Sequence, residues 1–91
     1  MEYLDELVLS EKEMLALALI MRATMRGTKV SPAQVCARTE WKDTKTFTNK
    51  AKIWESKGWL NRYQGRTGAC LWDANLERIQ FSKGGLIKSI E

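Results

Sequence analysis

The feature that most limits what this chain can fold into is an unbroken apolar run over residues 14–21, MLALALIM. Immediately before it, Ser10-Glu11-Lys12-Glu13 has the serine, and the glutamate three residues on, of a capping box. In that motif each side chain satisfies a backbone N–H that the first helical turn leaves free. The pattern predicts a helix from there to about Arg26, closed by Gly27. A surface helix normally keeps one face polar for water. This one keeps none for about two turns, so it must be covered on more than one side, and it is too short to span a bilayer. Two coverings satisfy it. It is the central helix of the domain, or its outer face joins the N-terminal arm or C-terminal tail in a homodimer interface.

The second strong signal is the stretch over residues 43–62, DTKTFTNKAKIWESKGWLNR. At about 100° per residue, Phe47, Ala51 and Trp54 share one side of a helix, and Lys45, Thr48, Asn49 and Lys52 take the far side. Asp43 can accept from the free N–H groups of the first turn, and Gly58 can close the helix in a left-handed conformation. The far side has two cations, a hydroxyl and an amide, with no acid among those four. That face is built to lie on negative charge.

The segment before it has its own punctuation. Thr28-Lys29-Val30 reads as a short extended piece. Ser31-Pro32-Ala33-Gln34 is a second capping box, with proline at the first helical position, where its missing N–H costs nothing. The helix it opens is short, about 32–38, with Val35 and either Cys36 or Thr39 inward. Glu40-Trp41-Lys42 is a turn, so helix, tight turn and amphipathic helix form a helix-turn-helix unit. Residues 59–63 read as a strand, Gln64-Gly65-Arg66-Thr67-Gly68 as a turn with two glycines, and 69–72 as the returning strand.

These residues carry a resemblance. Thr46-Phe47-Thr48, Lys52 and Trp54-Glu55-Ser56-Lys57-Gly58-Trp59-Leu60, ending at Arg62, resemble the recognition helix and first wing strand of a winged helix-turn-helix, closest to the MarR-like version. The order of elements extends the likeness over roughly residues 10–73. The resemblance implies a mainly α fold with a small β-hairpin, three helices plus a wing, and sequence-specific binding of double-stranded DNA by a small transcriptional regulator. It makes Trp41 the apolar anchor beneath the turn, against the alternative of an exposed stacking aromatic. MarR-like proteins continue past the wing into a long dimerising helix, for which this chain has no room. A second winged-helix family, which binds left-handed DNA, shares the Leu71-Trp72 ending. Its key asparagine and tyrosine fall here on Thr48 and Lys52, and its paired wing prolines on Ala69 and Cys70, so that likeness stops there.

The roles then follow from side-chain chemistry. The third helix enters the major groove, which is about 12 Å wide. Asn49 can pair bidentately with adenine, Thr48 can touch a thymine methyl, and Lys45 and Lys52 can bind guanine or flanking phosphates. Lys42, Lys50, Arg62 and the wing-tip Arg66 suit phosphate contacts, which position without reading sequence. Arg66 also suits the minor groove, where narrow A·T tracts deepen the negative potential. Ile53 departs from the pattern, marking either a wider buried face or a contact with another chain. The competing reading is a winged helix used as a protein-interaction module, an adaptor or antirepressor, working through the first helix and the C-terminal tail.

Charge supports the nucleic-acid reading. The net charge of +4 hides an asymmetry: residues 1–13 hold five acids and one base, whereas 22–66 hold eleven bases and three acids. A basic block on one module is the electrostatic footprint of a polyanion partner. With no histidine and only Cys36 and Cys70, no metal site, cofactor or nucleophile with a visible base is expected, and therefore no enzyme. The two cysteines read as small apolar residues, with a disulfide the alternative. The acidic N-terminus has the wrong sign for a secretory leader, which points to a soluble cytoplasmic protein, and small size alone suggests a phage or mobile element. The 91 residues read as one domain with an N-terminal arm over 1–9 and an extension over 74–91. That extension mixes helical spacing (Leu76, Ile79, Lys83) with strand-like alternation (Ile79, Phe81) before the Gly84-Gly85 break.

Overall fold

Three helices begin at side chains that accept their free N–H groups. The computed structural model describes residues 2–4, 7, 9–65, 68 and 70–80, with only the backbone at Glu2. Helix α1 (Glu11–Met25) starts at Ser10, whose Oγ accepts from the Glu13 N–H at 3.1 Å while Glu13 Oε1 accepts from the Ser10 N–H at 3.2 Å. Helix α2 (Pro32–Arg38) repeats the device with Ser31 and Gln34, at 3.2 and 2.9 Å. Helix α3 (Thr44–Ser56) starts at Asp43, which accepts from both the backbone N–H and the hydroxyl of Thr46, at 2.7 and 3.0 Å. Gly27 and Gly58 end α1 and α3 at φ of 80° and 81°, where a β-carbon is strained.

The strands are short. β1 is Glu2–Tyr3, β2 Leu60–Gln64, β3 Cys70–Ala74 and β4 Ile79–Gln80. β2 and β3 pair antiparallel, Leu60 opposite Ala74 and Gln64 opposite Cys70. The returning strand therefore runs two residues beyond its expected end at 72, because Leu60 and Ala74 close the pair over the core and are both buried. Val30 adds a single antiparallel bridge to Trp72 through two hydrogen bonds of 2.9 and 2.7 Å, so the extended piece before α2 lies on the same sheet. β1 pairs parallel with β4, Glu2 opposite Ile79 and Tyr3 opposite Gln80. The N-terminal arm is thus part strand, and residues 75–80 are a turn followed by a strand rather than a helix. Residues 81–91, with Phe81, Lys83 and the Gly84-Gly85 break, lie outside the described residues.

Most of the apolar run of α1 enters the core: Ala16, Leu17, Ala18, Leu19, Ile20 and Met21 are buried within a single chain, while Met14 and Leu15 at its start are half-buried. Both Leu4 and Ile79 are fully buried, which extends the core past residues 10–73 on each side. Thr24 joins α1 to the sheet: its hydroxyl donates to the Ile20 carbonyl and accepts from the Ala74 N–H, each at 2.8 Å. Trp72 is fully buried, and its indole N–H has no hydrogen-bond partner among the described residues. Cys36 and Cys70 are half-buried free thiols packed against the core.

Trp41 is the buried anchor beneath the turn, 6% exposed. Its ring meets Phe47 at 5.8 Å and Trp54 at 6.5 Å, both edge to face. Its Nε1–H donates to the Lys12 carbonyl of α1 at 3.3 Å, and the Lys12 ammonium sits 4.5 Å from the ring centroid. Trp41→Ala should lower the unfolding free energy by about 3–5 kcal/mol, the usual cost of removing a packed large aromatic. Trp41→Phe, which keeps a ring and loses the hydrogen bond, should cost clearly less. Urea denaturation with an unchanged slope would measure both.

Candidate nucleic-acid interface

The aromatic cluster decides which way α3 faces. Phe47 and Trp54 are buried, with Ala51 between them, and their rings meet edge to face at 6.4 Å. The opposite side of the helix is therefore presented outward. Lys45, Asn49 and Lys52 are exposed there, and Thr48 is half-buried at the edge of the same face. The side chains of Asn49 and Lys52 make no hydrogen bond or ion pair with any described residue. Lys42, in the turn that leads into α3, is exposed and equally unpaired among the described residues. The face also includes a residue that the sequence pattern did not bring forward. Ser56 is exposed, at about 180° from the buried side by helical spacing, and its hydroxyl donates to the Ile53 carbonyl at 2.6 Å.

Two basic residues beside this face are engaged by partners on other elements. Lys50 forms a 3.0 Å ion pair with Glu13 of α1, so it holds two helices together rather than standing ready for a phosphate. Arg62 lies 3.5 Å from Glu55. Its strand register puts it on the α3 side of β2, opposite Trp72. That pair neutralises the one acid within α3, although Arg62 remains exposed enough to meet a second anion. Ile53 is 48% exposed, which excludes the wider buried face considered for it. Arg66 lies outside the described residues. The neighbouring turn is closed by a hydrogen bond from the Gly68 N–H to the Gly65 carbonyl at 3.0 Å.

Both ends of α3 are electrostatically matched to its dipole. Asp43 sits at the positive end, where hydrogen bonds from the Thr46 backbone and hydroxyl, with the nearby Lys45 charge, hold its carboxyl below the ordinary value. At the other end Arg78 donates to the Lys57 carbonyl at 3.3 Å. Asn75 donates through its side chain to the Gly58 carbonyl at 3.4 Å and through its backbone to the Trp59 carbonyl at 2.8 Å. The β2–β3 pair that follows is firm at its base, where the Asn61 amide donates to the Asp73 carboxylate at 3.0 Å. On the same outer face the Asp73 charge, with burial and a hydrogen bond, pushes the Tyr63 phenol up, and the Lys29 ammonium sits 4.6 Å from the Tyr63 ring centroid.

Among the described residues no group of three or more histidine, cysteine or acidic side chains is placed to hold a metal, and no helix is long and apolar enough to cross a membrane. What the arrangement offers is a rigid helix with a row of outward hydrogen-bond donors.

The carboxylates give the fold an acid-sensitive side. Burial pushes the Glu13 carboxyl up, but hydrogen bonds from Lys50 and Ser10, with the Lys50 charge, outweigh it and leave the group lowered. A carboxylate held low in the folded state stabilises that state above its unfolded pKa, and the contribution fades as the pH falls through the folded value. Stability should therefore decline on acidification below the ordinary carboxylate range. Asp43→Asn keeps a capping acceptor and removes one titrating group, so its melting midpoint should fall less between neutral and acid pH than that of the wild type. Thermal unfolding across a pH series measures the difference. No protein-family model, curated protein or solved structure matches this chain, so the functional argument rests on its own residues.

Proposed function

We propose that this chain is a winged helix-turn-helix protein that binds double-stranded DNA sequence-specifically, as a small transcriptional regulator. The observation that carries the reading is the outward face of α3, where Lys45, Asn49 and Lys52 stand exposed with no acid among them. The order of elements supports it: α1, then α2 packed through a tight turn on α3, then an antiparallel strand pair with Val30 bridged to its second strand. In this reading α3 lies in the major groove and the β2–β3 hairpin is the wing.

Asn49 reads a base edge, adenine being the best match for an amide. Lys45 and Lys52 bind guanine or phosphate, and Thr48 reaches a thymine methyl from the edge of the face. Exposed Ile53 offers a further apolar contact of the same kind. Lys42, Arg62 and Arg66 hold phosphates and set the register. Glu55 would repel the backbone if it stood alone, and its pairing with Arg62 removes that penalty.

Affinity for duplex DNA should fall steeply with salt, by about 0.9 log units per log unit of salt for each phosphate neutralised. Lys45→Ala/Lys52→Ala should flatten that slope by roughly two if both lysines meet phosphates. Lys50→Ala should leave it almost unchanged, because that lysine is engaged with Glu13. Asn49→Ala should lose about 1–3 kcal/mol of discrimination at a single base pair. Fluorescence anisotropy over a salt series measures the slopes. A folded wild-type protein that binds no duplex at low salt would remove the proposal.

A further inference from the structure

Away from α3, a cleft of about 420 Å³ opens between the C-terminal half of α1, the following loop and α2. Arg22, Arg26, Lys29 and Arg38 line it, and no acidic residue does among the described residues. Its apolar wall includes Leu19 and Val30. Surfaces usually intersperse charges of both signs. Four cations around one concavity repel one another, and low-dielectric walls focus their field on whatever anion enters.

The groups in this cleft are donors. Arg26 and Arg38 are exposed, and their side chains form no hydrogen bond or ion pair with a described residue. Lys29 rests against the face of Tyr63 rather than a carboxylate. Gln34 also lines the cleft. Its carbonyl oxygen is taken by the Ser31 N–H at 2.9 Å, which leaves its amide N–H groups as donors. The cavity falls in the range of about 300–1,000 Å³ typical of small-molecule sites. A duplex would instead call for a basic stripe running along the surface.

The cleft is also separate from the α3 face. None of its described lining residues belongs to α3, and Cys36 of α2 packs against the core. Arg38 is two residues further on, about 200° around the helix, and so lies on the opposite side.

We propose that this cleft binds a small phosphate-bearing organic anion, with Arg26 and Arg38 gripping its phosphates and Leu19 and Val30 meeting its apolar part. Guanidinium groups suit the task because they pair with phosphate through two parallel hydrogen bonds. The proposal does not depend on the DNA reading, and either can fail alone.

The test is a titration of the full chain with ADP, and separately with inorganic pyrophosphate, at constant ionic strength, followed by amide NMR. Saturable shifts at Ala23, Lys29 and Gln34 are expected, with Lys45 and Lys52 undisturbed. Arg26→Ala/Arg38→Ala should weaken binding by about tenfold or more, as loss of charge-assisted hydrogen bonds does. The absence of saturable shifts for both probes, or shifts that spread equally over α3, would overturn the proposal. So would unchanged affinity in the double variant. If that variant does not fold, the wild-type shift map decides, and a map centred away from the cleft counts against the site. Shifts at these amides produced by a duplex and not by ADP would make the cleft a backbone contact and end the small-anion reading.

Discussion

The edge-to-face cluster of Trp41, Phe47 and Trp54 is the contact on which the functional surface depends. Two of the rings belong to α3 and the third to the turn before it, so the cluster fixes the rotation of α3 about its own axis. A helix has only one face opposite its buried side. Once Phe47 and Trp54 are seated, the outward direction of Lys45, Asn49 and Lys52 is determined without any contact of their own. The bond from Trp41 to the Lys12 carbonyl then ties that geometry to α1, the helix with the most completely buried middle. The half-buried ion pair between Lys50 and Glu13 repeats the connection, more weakly to the extent that water and salt reach it.

The helices were legible in the sequence because their boundaries are written locally. Ser10 with Glu13, Ser31 with Gln34, and Asp43 each specify a start within four residues, and Gly27 and Gly58 specify two of the ends. The buried face of α3 was legible for the same reason, through the spacing of Phe47, Ala51 and Trp54. What the sequence obscured belongs to pairings between distant segments. Nothing near Lys50 announces Glu13, and nothing near Arg62 distinguishes a phosphate ligand from a partner of Glu55. β3 runs to Ala74 because Leu60 lies opposite it, which is a property of register rather than of residues 70–74. The strand alternation at Ile79 was visible, but its partner was not, since two residues carry no periodic signal. The basic cleft draws on α1, the loop after it and α2, and only the folded chain brings those cations together.

Charge in this molecule is sorted by use. The acids that the fold describes are mostly tied to structure: Glu13 to a cap and an ion pair, Asp43 to a cap, Glu55 to Arg62, Asp73 to Asn61. Several of the bases face outward without such ties. The net result is a scaffold in which Glu13, Asp43, Glu55 and Asp73 are satisfied internally while several positive groups are held available on the α3 face and around the α1–α2 cleft. The positive field is thus a property of the fold as well as of composition.

The parallel pairing of β1 with β4 has a consequence for how the molecule opens. It joins residues 2–3 to 79–80, closing almost the whole described chain into one loop, whereas the helices and the β2–β3 pair rest on much more local contacts. Loop closure over that length carries an entropic cost that must be met before the contact rewards it. When that contact parts, Leu4 and Ile79, fully enclosed in the closed form, meet water together, beside two unpaired strand edges. Such an opening exposes an apolar surface beside unpaired backbone groups.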